Sequence, residues 1–334
     1  MTLISALGGE AALINLIRAN YGAAGDGSLA LGIGDDAALI DTGGEKLLVV
    51  TTDLLIENTH FRMDINEPYL LGWKSMAVNI SDIAAMGAEP TYSFVSIGLP
   101  DIDVEIVEGI YQGMYDASAA FGSAIAGGDT VGSGAGIVIN VTQLGLVEPN
   151  LAAKRNGAQL GDAILVTNTL GDSRAGLELL LKLGLTEARR ASEAAVERHL
   201  KPEPRVFEAR AAVATGKVHS MMDLSDGLAS DLPKLCEASG VGARVYAHAL
   251  PLSADIHRAA TRLDADPHLL AASGGEDYEL LLTCDPRDAS AVIEAVASAG
   301  STVKAIGEIV DGNEVTLIHS NGDESPMPRS WQHF

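Results

Sequence analysis

Leu47-Leu48-Val49-Val50-Thr51-Thr52-Asp53 is a short run of aliphatic and β-branched residues that ends on a carboxylate. It is too short for a helix and predicts a strand over 46–52 with Asp53 at its end. Downstream, 69–86 carries Leu70, Trp73, Ala77, Ile80 and Ala84 along one stripe at helical spacing, and Gly87 and Pro90 end it. Further out the pattern predicts a strand over 92–99, a helix over 104–121, and strands over 124–126 and 137–147. The last two are joined by the loop Gly132-Ser133-Gly134-Ala135-Gly136. Two strands in succession break strict βαβ alternation, so the expected class is α+β rather than a doubly wound sheet. Upstream, 11–18 reads as a short helix.

Near Glu148-Pro149-Asn150 the chain is expected to pass into a second unit, which gives domains 1–148 and 149–334. In the second unit strands are expected over 163–167, 218–222, 243–247, 279–283, 303–309 and 315–318. Helices are expected over 173–183, 188–199, 205–214, 227–239, 254–263 and 287–299. Lys201-Pro202-Glu203-Pro204 separates two of these, because proline ends one helix and opens the next.

The 334 residues suffice for two domains, and 47% apolar content supplies their cores. Charged residues at 20% are too few for a disordered chain. The formal net charge of −23 repels polyphosphate, which argues against broad contact with nucleic acid. Solubility is the plainer meaning of that charge. A small anionic substrate would need to arrive with its own metal or meet a local patch of donors. Cys236 and Cys284 form neither a CxxC pair nor a zinc set, which suits a reducing cytosol. Residues 1–16 lack a basic segment ahead of their apolar stretch, and no run approaches a membrane span. The expectation is a soluble, cytoplasmic protein without a membrane partner.

Aspartate recurs where it is least comfortable. Asp35-Asp36 follow Gly32-Ile33-Gly34, Asp53 follows an apolar strand, and Asp82 interrupts an apolar helix. Asp129 follows Gly127-Gly128, and Asp223 and Asp226 bracket Leu224-Ser225 after another apolar strand. A buried carboxylate needs a cation, a donor array or access to water. One shared solution is a set of hard divalent ions held by oxygen ligands. Each motif also has a plainer meaning. Gly and Asp favour surface turns, Thr-Thr-Asp and Asp226 suit helix caps, and a lone His60 is usually structural. Asn79 and Asp82, three positions apart, could share a helix face. Gly127-Gly128-Asp129 could cradle a phosphate beside a metal, and Gly274-Gly275-Glu276 could hold a substrate. There is no G-x-x-x-x-G-K-[ST] loop, no G-x-G-x-x-G after a strand, no kinase HRD or DFG set and no HExxH, so a nucleotide would be bound by another geometry.

Taken in order, GIGDDAALI, TTDLLIENTHF, GWKSMAVNISDIAAMGAEP, GGDT, KRNGAQLGD, TLGDSRAGL, RHLKPEPR, MDLSDGL and SGGEDYEL resemble the thiamine-monophosphate kinases. So does the ending Trp331-Gln332-His333-Phe334. These enzymes belong to the ATP-dependent superfamily that includes aminoimidazole ribonucleotide synthetase, selenophosphate synthetase and a hydrogenase maturation factor. The resemblance implies two α+β domains: an N-terminal one with a dimer-forming sheet and a C-terminal α/β sandwich-like one that completes the ATP and substrate site. It implies a homodimer, several Mg²⁺ ions, and transfer of the ATP γ-phosphoryl group to thiamine monophosphate, giving thiamine diphosphate and ADP. By similarity Asp36, Thr51, Thr52, Asp53, Asp82, Asp129, Asp223 and Asp226 would ligate metal. Tyr111, Gly128, Asp129, Arg155 and Ser225 would contact ATP. His60, Glu276 and a C-terminal aromatic, Trp331, would contact the thiamine substrate. One departure is Glu57-Asn58 where the family has Glu-Gly; asparagine tolerates unusual backbone angles, so the loop is expected to persist.

The chemistry agrees with that reading. Donor and acceptor are both phosphate anions, so positioning and charge neutralisation would do most of the work. The acceptor oxygen is already largely deprotonated, so no general base is expected, and transfer would be direct. A selenophosphate synthetase would need a reactive Cys near its N-terminus, and the first cysteine here is Cys236; the maturation factor ends in cysteine, and this chain ends in Phe334. Aminoimidazole ribonucleotide synthetase is disfavoured by IENTHF and the aromatic tail. A non-catalytic metal or nucleotide binder is the rival of another class.

Overall fold

A computed structural model describes residues 9–22 and 27–330. The fold is α+β, built as two lobes, each on its own sheet. The first lobe comprises α1 (Glu10–Tyr21), β1 (Leu29–Leu31), β2 (Ala38–Ile40), β3 (Leu47–Ile56), α2 (Pro68–Ala85), β4 (Glu89–Leu99), α3 (Val104–Ala120), β5 (Ala124–Gly132) and β6 (Val138–Val147). Its six strands lie in the order β1-β2-β3-β6-β4-β5, antiparallel except for the β4–β5 pair. Alternate residues of β6, from Ile139 to Val147, are buried, and their neighbours are half-exposed. The helices α2 and α3 cover the buried face and touch through glycine. A Cβ on Gly72 would lie 1.8 Å from the Ile110 carbonyl oxygen, and one on Gly113 would lie 1.9 Å from that of Tyr69. The opposite face is open: Leu54 (47%), Tyr92 (56%) and Phe94 (42%) are exposed there.

The second lobe comprises β7 (Ala163–Thr167), α4 (Asp172–Leu183), α5 (Leu185–Ala191), α6 (Glu193–Leu200), α7 (Val206–Ala214), β8 (Val218–Asp223), α8 (Leu228–Ser239) and β9 (Gly242–Tyr246). It continues with α9 (Ala254–Leu263), α10 (Pro267–Ser273), β10 (Leu280–Cys284), α11 (Ala289–Ser298), β11 (Val303–Val310), β12 (Val315–Ile318) and β13 (Glu324–Pro326). Its seven strands run β13-β12-β9-β11-β7-β10-β8. One apolar cluster spans both lobes, joining Met76 and Ile80 of α2 to Val206, Ala209 and Val213 of α7 and to Met221 and Leu282.

Two expectations need correction, and one helix was not foreseen. β3 runs to Ile56, because it pairs with β6 along its whole length, so Asp53 lies within a strand rather than at its end. The helix expected over 188–199 is two helices, separated at Ser192, whose extended backbone lets its hydroxyl accept from the Ala195 amide. The short helix α10 begins where Asp266 accepts from the His268 amide with Pro267 in the first turn, a start signal that hydrophobic periodicity does not reveal.

Candidate active site

The acidic residues converge where α2, β3, β8 and the turn before β2 meet. Carboxylate oxygens of Asp36, Asp82 and Asp223, from three distant segments, all lie within 4.8 Å of one another. The helix α2 supplies the polar positions in a row. Asn79 Oδ1 accepts from the Asp53 amide (2.9 Å), Ser81 Oγ donates to Asp223 (2.5 Å), and Asp82 accepts from Thr51 Oγ1 (2.5 Å). Asn79 and Ser81 are buried, so these contacts replace water for groups that an apolar helix would otherwise strand.

Like charges crowd the cluster. Burial and the neighbouring Asp226 push the Asp53 carboxyl up to about 6. Burial and Asp36 do the same for Asp35. Burial, with Asp53, Asp223 and Asp36 nearby, holds Asp82 well above the usual carboxylate range, and burial with Asp36 does so for Asp223. Arg155 opposes this: its guanidinium pairs with Asp36 Oδ1 and its amide donates to Asp35 Oδ2 (3.1 Å). The second oxygen of Asp36 is buried without a hydrogen-bond partner. An all-oxygen cluster with an excess of carboxylates and an orphaned oxygen fits a hard divalent cation.

Beside the cluster lies a cavity of about 580 Å³ whose lining includes Asp53, Asp82, Ser225 and Asp226 together with His60, Arg62, Arg174, His199 and Glu276. Its loops are held in costly conformations. Glu276 (φ 64°), Tyr278 (φ 51°) and Asn58 (φ 65°) occupy the left-handed region, which non-glycine residues enter where surrounding contacts dictate it. Asn58 thus adopts the backbone that glycine would favour, and the loop persists. The Ile56 amide donates to His60 Nδ1 (3.0 Å), so a neutral ring carries its proton on Nε2. Asp226 does not cap α8. Gly227 holds that position, Asp231 accepts from the Asp226 and Gly227 amides (2.9 Å each), and Lys234 bridges Asp226 and Asp231.

Of the residues singled out by sequence, Asp36, Thr51, Asp53, Asp82, Arg155, Asp223, Ser225 and Asp226 gather at the cluster and its rim. His60 and Glu276 line the adjoining cavity. The side chains of Thr52 and Asp129 do not join them within one chain. Leu54 pairs with Asn140, Asn140 with Ser96, and Ser96 with Asp129, so all four share a face. Leu54 is exposed on that face, whereas Asp53 points to the other. Thr52 Oγ1 is turned the same way as Leu54, bonded to Asn140 and Thr142. Asp129 and Gly128 lie on the exposed edge strand β5, three strands and roughly 14 Å from β3. Tyr111 is half-buried on α3, among residues of the cluster that joins the lobes. Trp331 lies outside the described residues.

Sequence reasoning assigned no role to Lys74, Arg174, His199 or Tyr278, all of which surround Glu276 or line the cavity. A lysine amid the apolar residues 70–86 was as conspicuous as the aspartate singled out there.

The chain is similar to known proteins along most of its length. Residues 34–147 match the family described as AIR synthase related protein, N-terminal domain, and residues 159–320 match its C-terminal domain. The thiamine-monophosphate kinase of Haemophilus influenzae is 40% identical over 78% of this chain and 77% of its own length. That of Escherichia coli K12 is 35% identical over 91% of each. A solved structure described as AaThiL complexed with AMPPCP and TMP superposes with a TM-score of 0.87 at 33% identity, covering 100% of this chain and 99% of that one. With identity at this level along nearly its whole length, the chain belongs to the thiamine-monophosphate kinase family.

Proposed function

We propose that the protein transfers the γ-phosphoryl group of ATP to thiamine monophosphate, giving thiamine diphosphate and ADP, as a phosphotransferase with a phosphate acceptor. The observation that carries this reading is the Asp36–Asp82–Asp223 cluster beside a cavity that also holds His60 and Glu276. The kinases among its relatives support it, as does the similar solved structure that holds AMPPCP and TMP together.

Asp36, Asp53, Asp82, Asp223 and Asp226, with Thr51, would hold Mg²⁺. Bound Mg²⁺ neutralises phosphate charge and favours in-line displacement. The chain's own groups orient the reactants. His60 offers its Nε2–H to an anionic oxygen of the acceptor, Ser225 and Arg155 lie on the nucleotide side, and Glu276 and Trp331 hold the thiamine portion. The two loops are joined where the Glu276 amide donates to the Ser225 carbonyl oxygen. No side chain need act as a base, because the acceptor oxygen is already anionic. Transfer is direct, without a phosphoenzyme.

We assign the domains as 1–148 and 149–334. We also assign a homodimer formed through the open sheet face that bears Leu54, Tyr92, Phe94 and Val131, all strongly exposed. On that arrangement Thr52, Gly128 and Asp129 complete the nucleotide site across the contact, while Tyr111, on α3 behind the sheet, would reach ATP from its own chain. Among the described residues no helix is long and apolar enough to cross a membrane, and two buried free cysteines suit a cytoplasmic enzyme.

The test is a coupled assay of ADP release with thiamine, thiamine monophosphate and aminoimidazole-type substrates, with and without EDTA. ADP release that requires thiamine monophosphate and stops with EDTA is expected; equal release without it rejects the reading.

A further inference from the structure

The cation buried in α2 has no part in the chemistry above. Lys74 is 1% exposed, and its Nζ forms an ion pair with Glu276 Oε1 at 2.8 Å. The two residues come from different lobes. Glu276 has two further neighbours: its amide donates to the Ser225 carbonyl oxygen (2.7 Å), and its second oxygen lies 3.2 Å from His199 Nδ1. That nitrogen also meets Ser173 Oγ at 3.1 Å. The neighbouring Gly275 has no room for a side chain, because a Cβ there would lie 2.7 Å from the Ser225 carbonyl oxygen. The left-handed backbone at Glu276 persists because these contacts over-determine it.

We propose that Lys74 is a positioning residue for the acceptor substrate, its ammonium fixing Glu276 as an ionised carboxylate of one orientation in the cavity. The proposal rests on the functional reading above. An ammonium on a buried helix face is a poor choice for stability alone, since an apolar side chain of similar volume would serve as well or better. Lys74 touches no substrate in this scheme; it acts through Glu276.

The experiment compares Lys74→Met, Glu276→Gln and the double variant, with steady-state kinetics in both substrates and a thermal melt. Lys74→Met is expected to raise KM for thiamine monophosphate about tenfold while KM for ATP stays within about twofold. The double variant leaves no unpaired buried charge and is expected to fold. Its KM for thiamine monophosphate should equal that of Glu276→Gln alone, because Lys74 has nothing left to position. Where Lys74→Met does not fold, that comparison decides. A folded Lys74→Met with unchanged KM values, or effects that multiply in the double variant, overturns the proposal and leaves the kinase reading intact. Wild-type protein that releases no ADP with thiamine monophosphate overturns both.

Discussion

At the scale of single residues, the carboxylates hold two opposed demands, and substitutions separate them. Asp82 is repelled by Asp53, Asp223 and Asp36 and bonded to Thr51. Asp82→Asn should lower kcat by at least about 100-fold, because shared ligation is weakened. The same change should raise the melting temperature of the metal-free protein, because like charges are relieved; wild-type kcat at saturating Mg²⁺ would remove Asp82 from the site. Asn58, at φ 65°, makes the backbone demand measurable. Asn58→Val should destabilise by about 1–2 kcal/mol in urea titrations, and Asn58→Gly should be nearly neutral. Most of the acidic cluster was legible because aspartate after an apolar strand or within an apolar helix is anomalous by itself. Lys74 and His199 were not assigned, because their roles depend on Glu276, more than 70 positions from either and beyond the reach of local pattern.

At the scale of elements, α2 does the most. It covers a sheet, packs on α3 through glycine and presents Lys74, Asn79, Ser81 and Asp82 to the site. Its hydrophobic stripe made it readable to within a residue at each end. Its glycine contacts were not readable, because close approach is a property of two helices. Gly113→Ala would drive a methyl group into the Tyr69 carbonyl, so it should cost about 1–3 kcal/mol by chemical denaturation. A variant as stable as the parent would mean that the helices separate without penalty. The β-branched run of β3 was clear, but its length was not, because only pairing with β6 extends it past Asp53. For the same reason the opposite orientations of Asp53 and Asp129 were invisible until register was known.

At the scale of the whole molecule, the two-unit α+β layout was legible from element order, whereas the short strands β1, β2 and β13 carry too few residues for periodicity to reveal. The site's charge sets a global pH dependence. Asp35 and Asp53 bind protons in the folded chain up to about 6, above their ordinary value of 3.8, and Asp82 and Asp223 shift in the same direction. The folded form then holds protons that the unfolded chain has released, so the metal-free protein should lose stability as pH rises through that range. Melts in EDTA should show this fall, and added Mg²⁺ should stabilise more at higher pH, because its ligands must be deprotonated. A metal-free melting temperature that rises across the range would contradict the buried cluster. The open sheet face gives an assembly prediction: Phe94→Glu should yield monomers by light scattering and weaken ATP binding.

The seam between the lobes limits how the enzyme can move. Lys74–Glu276 and Ser81–Asp223 stitch one lobe to the other, and an apolar cluster runs through both. A hinge that swung the lobes apart would break both stitches and wet that cluster at once. Reactants then enter and leave past Asn58, Thr59 and Arg62, exposed residues that line the cavity, without the lobes parting.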